Sequence, residues 1–187
     1  GQLLSDTALL IHADDLQNAG LIRGTRSLDI NSHNVSTRAG SSLLSDGDVT
    51  LSGQTLLLTG LTSAKETLSL NGQSLTTQQS AKTQSAKRIA INATTQGDLA
   101  GELFSAGTLD IKTGHLIHRG NTQAHSASIN TTAFENQGQL ISLGDLTLQS
   151  QSVNQSGTIQ ASGLAAITAN SLDNYGVFGA NSLTFNI

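Results

Sequence analysis

The chain has 187 residues, of which 36% are hydrophobic and 12% charged, and its net charge is −4. That acidic balance argues against general nucleic-acid binding, which needs a basic face, and 3% aromatic residues leave few stacking platforms for bases or sugars. Cysteine is absent, so no disulfide supplies stability, and no apolar run is long enough to span a membrane.

Along the chain runs a degenerate repeat of about nineteen residues, too short for each copy to bury a core of its own. A partial copy, GQLLSDTALLIHA, opens the chain. The next copy, LQNAGLIRGTRSLDINSHN, starts at Leu16, and LLLTGLTSAKETLSLNGQS starts at Leu56. Later copies read FENQGQLISLGDLTLQSQS from Phe134, VNQSGTIQASGLAAITANS from Val153 and LDNYGVFGANSLTFNI from Leu172. They align on Gly20, Gly40, Gly60, Gly101, Gly120, Gly138, Gly157 and Gly176, with Ser80 standing in for the glycine of one copy.

Each copy carries three alternating segments. Two residues after the glycine stands an apolar side chain (Ile22, Leu103, Leu140, Ile159, Phe178), and two further on a small one. A second pair follows, as in Leu28/Ile30, Val49/Leu51, Leu68/Leu70, Ile89/Ile91, Leu109/Ile111, Leu146/Leu148 and Leu183/Phe185. A third apolar position precedes the glycine: Leu16, Leu56, Leu116, Phe134, Val153, Leu172. Alternation with period two marks strands with one buried face. Three such segments per copy predict an all-β, right-handed parallel β-helix of about nine to ten coils, the hand following the crossover rule for parallel strands. At roughly 4.8 Å per coil the rod is roughly 45–50 Å long.

Turns separate the segments, as in Asp46-Gly47-Asp48, Asn71-Gly72-Gln73 and Leu143-Gly144-Asp145. Asn recurs two residues before the glycine, at Asn18, Asn136 and Asn174. Stacked in register these either form a hydrogen-bonded ladder or serve as residues that tolerate a left-handed backbone. Proline is absent, as expected where most residues donate a ladder hydrogen bond. The whole of 1–187 reads as a single β-helix segment without an internal linker. Neither end has the polar cap that a solenoid needs, so an excised piece of a much longer filament is expected. A monomer is expected, and any end-to-end oligomer of the isolated segment is attributed to its open strand edges.

The stretch from Leu75 to Asp98 departs most from the repeat. A one-residue insertion restores register and turns Thr83 and Ser85 inward, with Ile89 and Ile91 following. Lys82, Lys87 and Arg88 then lie at the surface, and with Lys65 of the preceding coil they make a small basic patch, the candidate binding site. The plainer reading is a tolerated surface bulge. His115, His118 and His125 are close in sequence, but a strand puts His115 and His118 on opposite faces, so solvated histidines are expected and no metal site. The carboxylates are scattered, with Asp29 and Asp110 at the same outward position several coils apart, so neither a calcium-dependent lyase site nor any other catalysis is expected. No cofactor motif is present. Phe178 and Phe185 read as core stacking and Tyr175 as exposed.

The frames LQNAGLI, FENQGQLISLGDLTLQS and LDNYGVFGANSLTF resemble the haemagglutinin repeats of two-partner secretion exoproteins: filamentous haemagglutinin adhesins, contact-dependent growth inhibition exoproteins and haemolysins. The resemblance covers nearly the whole chain. It implies secretion across a Gram-negative envelope through an outer-membrane transporter, a cell-surface or extracellular location, and a structural or adhesive role in cell-cell or host contact, including virulence. It also leaves room for a receptor-binding module that recognises a surface glycan or outer-membrane protein. The family's N-terminal secretion domain and C-terminal toxin domain are not evident in this chain.

Overall fold

A computed structural model describes all residues from Gly1 to Ile187. Every regular element is a strand, and the nineteen strands form one sheet in which each pairing is parallel to a strand about one repeat away. The chain winds as a β-solenoid with three stacked faces. The first face stacks Gln2–Ser5, Leu21–Gly24, Ser42–Ser45, Leu61–Ala64 and Lys82–Ser85. It continues through residues 102–105 and 121–124, Gln139–Ser142, and residues 158–161 and 177–180. The second face carries the paired apolar positions, and the third the single apolar position before the glycine. In some coils a corner keeps its pairing and two or three segments merge, as in the 17-residue strand Glu102–His118.

Alternation along each strand builds the interior. Leu28, Val49, Leu68, Ile89, Leu109, Ala127 and Leu146 stack in one buried column, and Val35, Leu56, Leu75, Leu116, Phe134 and Val153 lie in the column of the third face, with Gly97 between Leu75 and Leu116. One cluster of 34 buried apolar residues runs through the coils. The predicted inward turn of Thr83, Ser85, Ile89 and Ile91 is present, each at 3% exposure or less. The irregular coil takes up its extra length at the Gln78–Ala81 turn and at a register shift between Ala93 and Gln96. Phe178 and Phe185 face inward and meet edge to face, ring centroids 5.3 Å apart, and Phe185 is 41% exposed. Tyr175 is exposed.

The glycine repeat has a steric cause. A Cβ on Gly138 would lie 2.2 Å from the carbonyl oxygen of Gly120, and one on Gly157 would lie 2.1 Å from that of Gly138. At this corner each coil's backbone rests directly on the backbone below. Two coils escape by carrying two more residues in this turn, with β-turns closed by Ser41 N–H to Arg38 O (3.1 Å) and Ala81 N–H to Gln78 O (2.9 Å). In these coils Ser41 and Ala81, not Gly40 and Ser80, occupy the stacked position, because Leu61 N–H bonds to Ser41 O and Glu102 N–H to Ala81 O. Gly40 is needed for another reason, since it holds a φ of 79°, which side-chain-bearing residues rarely adopt.

The position two before the glycine is neither a uniform Asn ladder nor a left-handed site, since no residue other than glycine has positive φ. It is an inward column of Asn18, Thr37, Leu58, Thr77, Leu99, His118, Asn136, Gln155 and Asn174, and its polar members other than His118 bind turn backbone. Asn18 Oδ1 accepts from Gly20 N–H at 3.0 Å, and Thr37 Oγ1 accepts from Thr59 and Gly60 N–H at 2.8 and 3.2 Å. The Gly-Asp turns act likewise on the outer side: Asp48 Oδ1 accepts from Thr67 N–H (2.9 Å) and Asp145 Oδ1 from Leu164 N–H (2.8 Å), each in the next coil.

These columns make stability testable position by position. Gly138→Ala should cost about 1–3 kcal/mol, because backbone must shift to admit the methyl group, whereas Ala81→Gly at the same column should cost less than about 1 kcal/mol. Thermal melting of the two variants measures the contrast. Thr62 and Thr83 stack in the core with buried hydroxyls that have no partner. Thr62→Val and Thr83→Val should each therefore stabilise the rod by about 1 kcal/mol in urea unfolding, and a loss of stability would show that the hydroxyls are satisfied.

Candidate functional site

Lys65, Lys82, Lys87 and Arg88 all lie on the outside of the coils, each with a side chain more than half exposed. Lys65 and Lys87 share one corner in adjacent coils, where Ala86 N–H bonds to Ala64 O. Lys82 stands at the other end of the strand Lys82–Ser85, about 10 Å away along the chain.

Each of these cations meets a carboxylate of a neighbouring coil. Lys65 Nζ lies 2.7 Å from Asp46 Oδ1, Lys82 Nζ 3.4 Å from Glu102 Oε2 and Arg88 Nε 2.9 Å from Asp110 Oδ2, while Lys87 pairs with Glu66. Lys87 turns to the coil before and Arg88 to the coil after, so neighbours in sequence point apart. The candidate patch is thus a set of alternating charges. Arg23, Asp46 and Lys65 make its clearest case, with Asp46 between two cations at 2.6 and 2.7 Å. Hydrogen bonds from Lys65 and then Arg23 hold the Asp46 carboxyl below its ordinary value of 3.8. The remaining ion pairs, Arg119–Asp98 and His115–Glu135, also join adjacent coils.

Other groups with chemical potential are separated. Asp29 and Asp110 occupy one outward column with three coils between them; Asp29 accepts from Ser27 Oγ and Asp110 pairs with Arg88. No three His, Asp or Glu side chains converge on a metal-sized site. A groove of about 390 Å³ beside Thr131 and Gln149 is lined only by Thr, Asn, Gln and Ser and holds no acid or base.

The histidines require a correction. His125 is exposed and His115 half-exposed, but His118 is 3% exposed and lies in the core. Strand alternation puts His115 and His118 on opposite faces; the inward one is not solvated because it stands in the column of Asn18 and Asn136. Its place two residues before Gly120 was the available signal. His118 Nδ1 lies 2.6 Å from Asn136 Oδ1, and His118 Nε2 lies 2.8 Å from Thr122 Oγ1.

Comparison with known proteins places this geometry. The haemagglutinin repeat family model matches residues 1–72, 23–102 and 84–182. Toxin CdiA of Escherichia coli is 29% identical over 218 residues, which cover 98% of this chain and 7% of that protein. The tRNA nuclease CdiA of Yersinia mollaretii is 31% identical over 192 residues, covering 96% of this chain and 6% of the relative. The deoxyribonuclease CdiA of Dickeya dadantii is 28% identical over 228 residues, covering 98% and 7%. The chain therefore spans less than a tenth of the length of these relatives. No solved structure matches it.

The Asp46 triad yields a pH prediction. A carboxyl with a depressed folded pKa contributes stability above its unfolded pKa, and that contribution is lost as pH falls through the folded value. Lys65→Gln should raise the Asp46 titration midpoint more than Arg23→Gln does, since the Lys65 hydrogen bond is the larger cause. Carboxyl NMR titration of both variants reads the order directly.

Proposed function

The chain belongs to the haemagglutinin repeat family, and we propose that these coils act as a structural rod within a large secreted exoprotein, holding its functional ends apart at a cell surface. The observation that carries this reading is the outer charge pattern. Six of the nine Lys and Arg side chains, Arg23, Lys65, Lys82, Lys87, Arg88 and Arg119, are engaged by carboxylates one coil away, so most of the positive charge serves the stacking of coils. About ten coils at about 4.8 Å each set such a rod's span at roughly 45–50 Å.

The relatives support the same reading. Their names carry different activities, a tRNA nuclease in one and a deoxyribonuclease in another, yet both resemble this stretch to a similar degree, 31% and 28%. A shared scaffold accounts for that better than a shared active centre. We assign no catalysis to this chain; its carboxylates are dispersed, and Asp46, Glu66, Asp98, Glu102, Asp110 and Glu135 are held in ion pairs. The reading includes export of the parent through an outer-membrane transporter of a Gram-negative cell and action in contact between cells, as for the relatives named CdiA, with the transporter recognising another part of the parent.

The competing role is recognition of a surface glycan or outer-membrane protein through Lys65, Lys82, Lys87 and Arg88. Display of the chain at many copies per bead, against Gram-negative bacteria and epithelial cells, separates the two, because multivalency amplifies a weak patch. The rod reading expects no saturable binding to either cell type. Saturable binding that disappears when Lys82, Lys87 and Arg88 are all changed to Gln would overturn it in favour of recognition.

A further inference from the structure

We propose that His118 makes the C-terminal part of the rod acid-labile: protonation of its ring breaks a buried hydrogen-bond chain that ties together the coils from His118 to Val177, and these coils open locally while the N-terminal coils stay closed.

The chain is continuous through the core. Thr122 Oγ1 and Asn136 Oδ1 contact the two nitrogens of His118 at 2.8 and 2.6 Å. Asn136 Nδ2 donates to Gln155 Oε1 at 2.6 Å and to Thr158 O at 3.4 Å. Gln155 Nε2 donates to Gly157 O at 2.9 Å and to Val177 O at 3.1 Å. His118, Asn136 and Gln155 are buried to 3%, 0% and 0% exposure.

The directions of these bonds fix the ring's proton. The amide nitrogen of Asn136 is occupied as a donor, so its Oδ1 faces His118 as an acceptor and Nδ1 carries the hydrogen. A neutral ring has one N–H. Nε2 is then the acceptor, and the Thr122 hydroxyl donates to it. Protonation adds a hydrogen at Nε2, and the Thr122 hydroxyl must turn away. It turns toward a core whose adjacent members in its own column are Leu103 and Leu140. One hydroxyl loses its acceptor, and a cation stands in the core without a counter-charge.

No carboxylate reaches the ring. From the coil before, Leu99 stacks on His118, while Asp98 turns outward to Arg119. From the coil after, Asn136 stacks on it, while Glu135 turns outward to His115. Desolvation accordingly pushes the His118 pKa below 6.5, against the smaller upward effect of the Asn136 bond. Above pH 6.5 the open and closed forms are both neutral. Between 6.5 and the lowered value only the open form takes up the proton, so stability is lost as pH falls and the opening constant grows by up to about tenfold per pH unit. The other four histidines stand at the surface or half-exposed and do not share this burial.

The column supplies its own control, because Asn already fills it at Asn18 and Asn136. Residue-resolved amide hydrogen exchange of the intact chain and of His118→Asn, at matched pH from about 7.5 to about 5, cancels intrinsic exchange chemistry. The amides of Gln137, Gly138, Ser156 and Gly157, which bond to the carbonyls of His118 and Asn136, report opening. Their parent-to-variant exchange ratio should rise toward about tenfold per pH unit below 6.5, while the ratio at Val49, Leu51 and Leu68 stays level. A ratio that is flat with pH, or that rises equally at Val49 and Leu51, overturns the proposal. Should His118→Asn fail to fold, ring NMR of the unaltered chain decides. Protonation coincident with loss of protection at Gly138 supports the proposal, and protonation with Gly138 still protected overturns it.

Discussion

Parallel stacking in register governs everything else in this molecule. Each residue sits on the residue one coil earlier, about 4.8 Å below. Of the 41 backbone hydrogen bonds outside the regular strands, only the two that close the Arg38 and Gln78 turns stay within a coil. The sequence is thus read as columns as much as it is read along the chain. A column accepts only what can tolerate its own kind as neighbour. Aliphatic side chains do so inside, and glycine does so where backbone lies on backbone. Like charges cannot, and in the outer columns of this chain opposite charges meet: Lys65 stacks on Asp46, Lys87 on Glu66 and Glu102 on Lys82, while Arg23 and Arg88 reach diagonally to Asp46 and Asp110 of the next coil.

The same rule explains why the interior is not purely apolar. The column before the glycine turn mixes Asn, Thr, Leu, His and Gln, and in most polar cases the side chain satisfies turn amides of its own or the next coil. Leu58 and Leu99 show that an apolar residue also fits there. Polarity in this column is therefore a choice that local turn chemistry permits. Of the four polar members that follow in succession from His118 to Asn174, the first three, His118, Asn136 and Gln155, join into one network. Stability in a solenoid is set by nearest neighbours, so that network's strength belongs to its own coils and is not averaged over the rod.

Most of the fold was legible because stacking forces repetition. The period, the three alternating segments, the inward pairs such as Leu68 and Leu70, and the inward turn of Thr83 and Ser85 all appear where the pattern puts them. Gly40 and Ser80 were misread for one reason: two extra residues in each turn move the stacked position to Ser41 and Ala81, and alignment on glycine conceals the shift. His118 was misread because the three histidines were weighed as a local group, when its column neighbours decide its environment. The partners of Lys82, Lys87 and Arg88 were not legible, since corner side chains cross to different coils and the direction depends on backbone that no periodicity describes.

Core columns are permissive about which coil follows which, and the outer charges are not. A coil that stacked one place out of order would bury much the same aliphatic surface, leucine on leucine. It would, however, put Lys87 over Gly47 in place of Glu66, because Gly47, Glu66 and Lys87 occupy one column in successive coils. It would also leave Asp46 without Lys65. An exposed ion pair is worth at most about 1 kcal/mol, which adds little to the stability of a rod with 34 buried apolar residues in its core. Across several columns at once, such pairs still distinguish the correct neighbour from its near copies. In a chain built from near copies that distinction fixes the order of the coils, which the hydrophobic core alone does not.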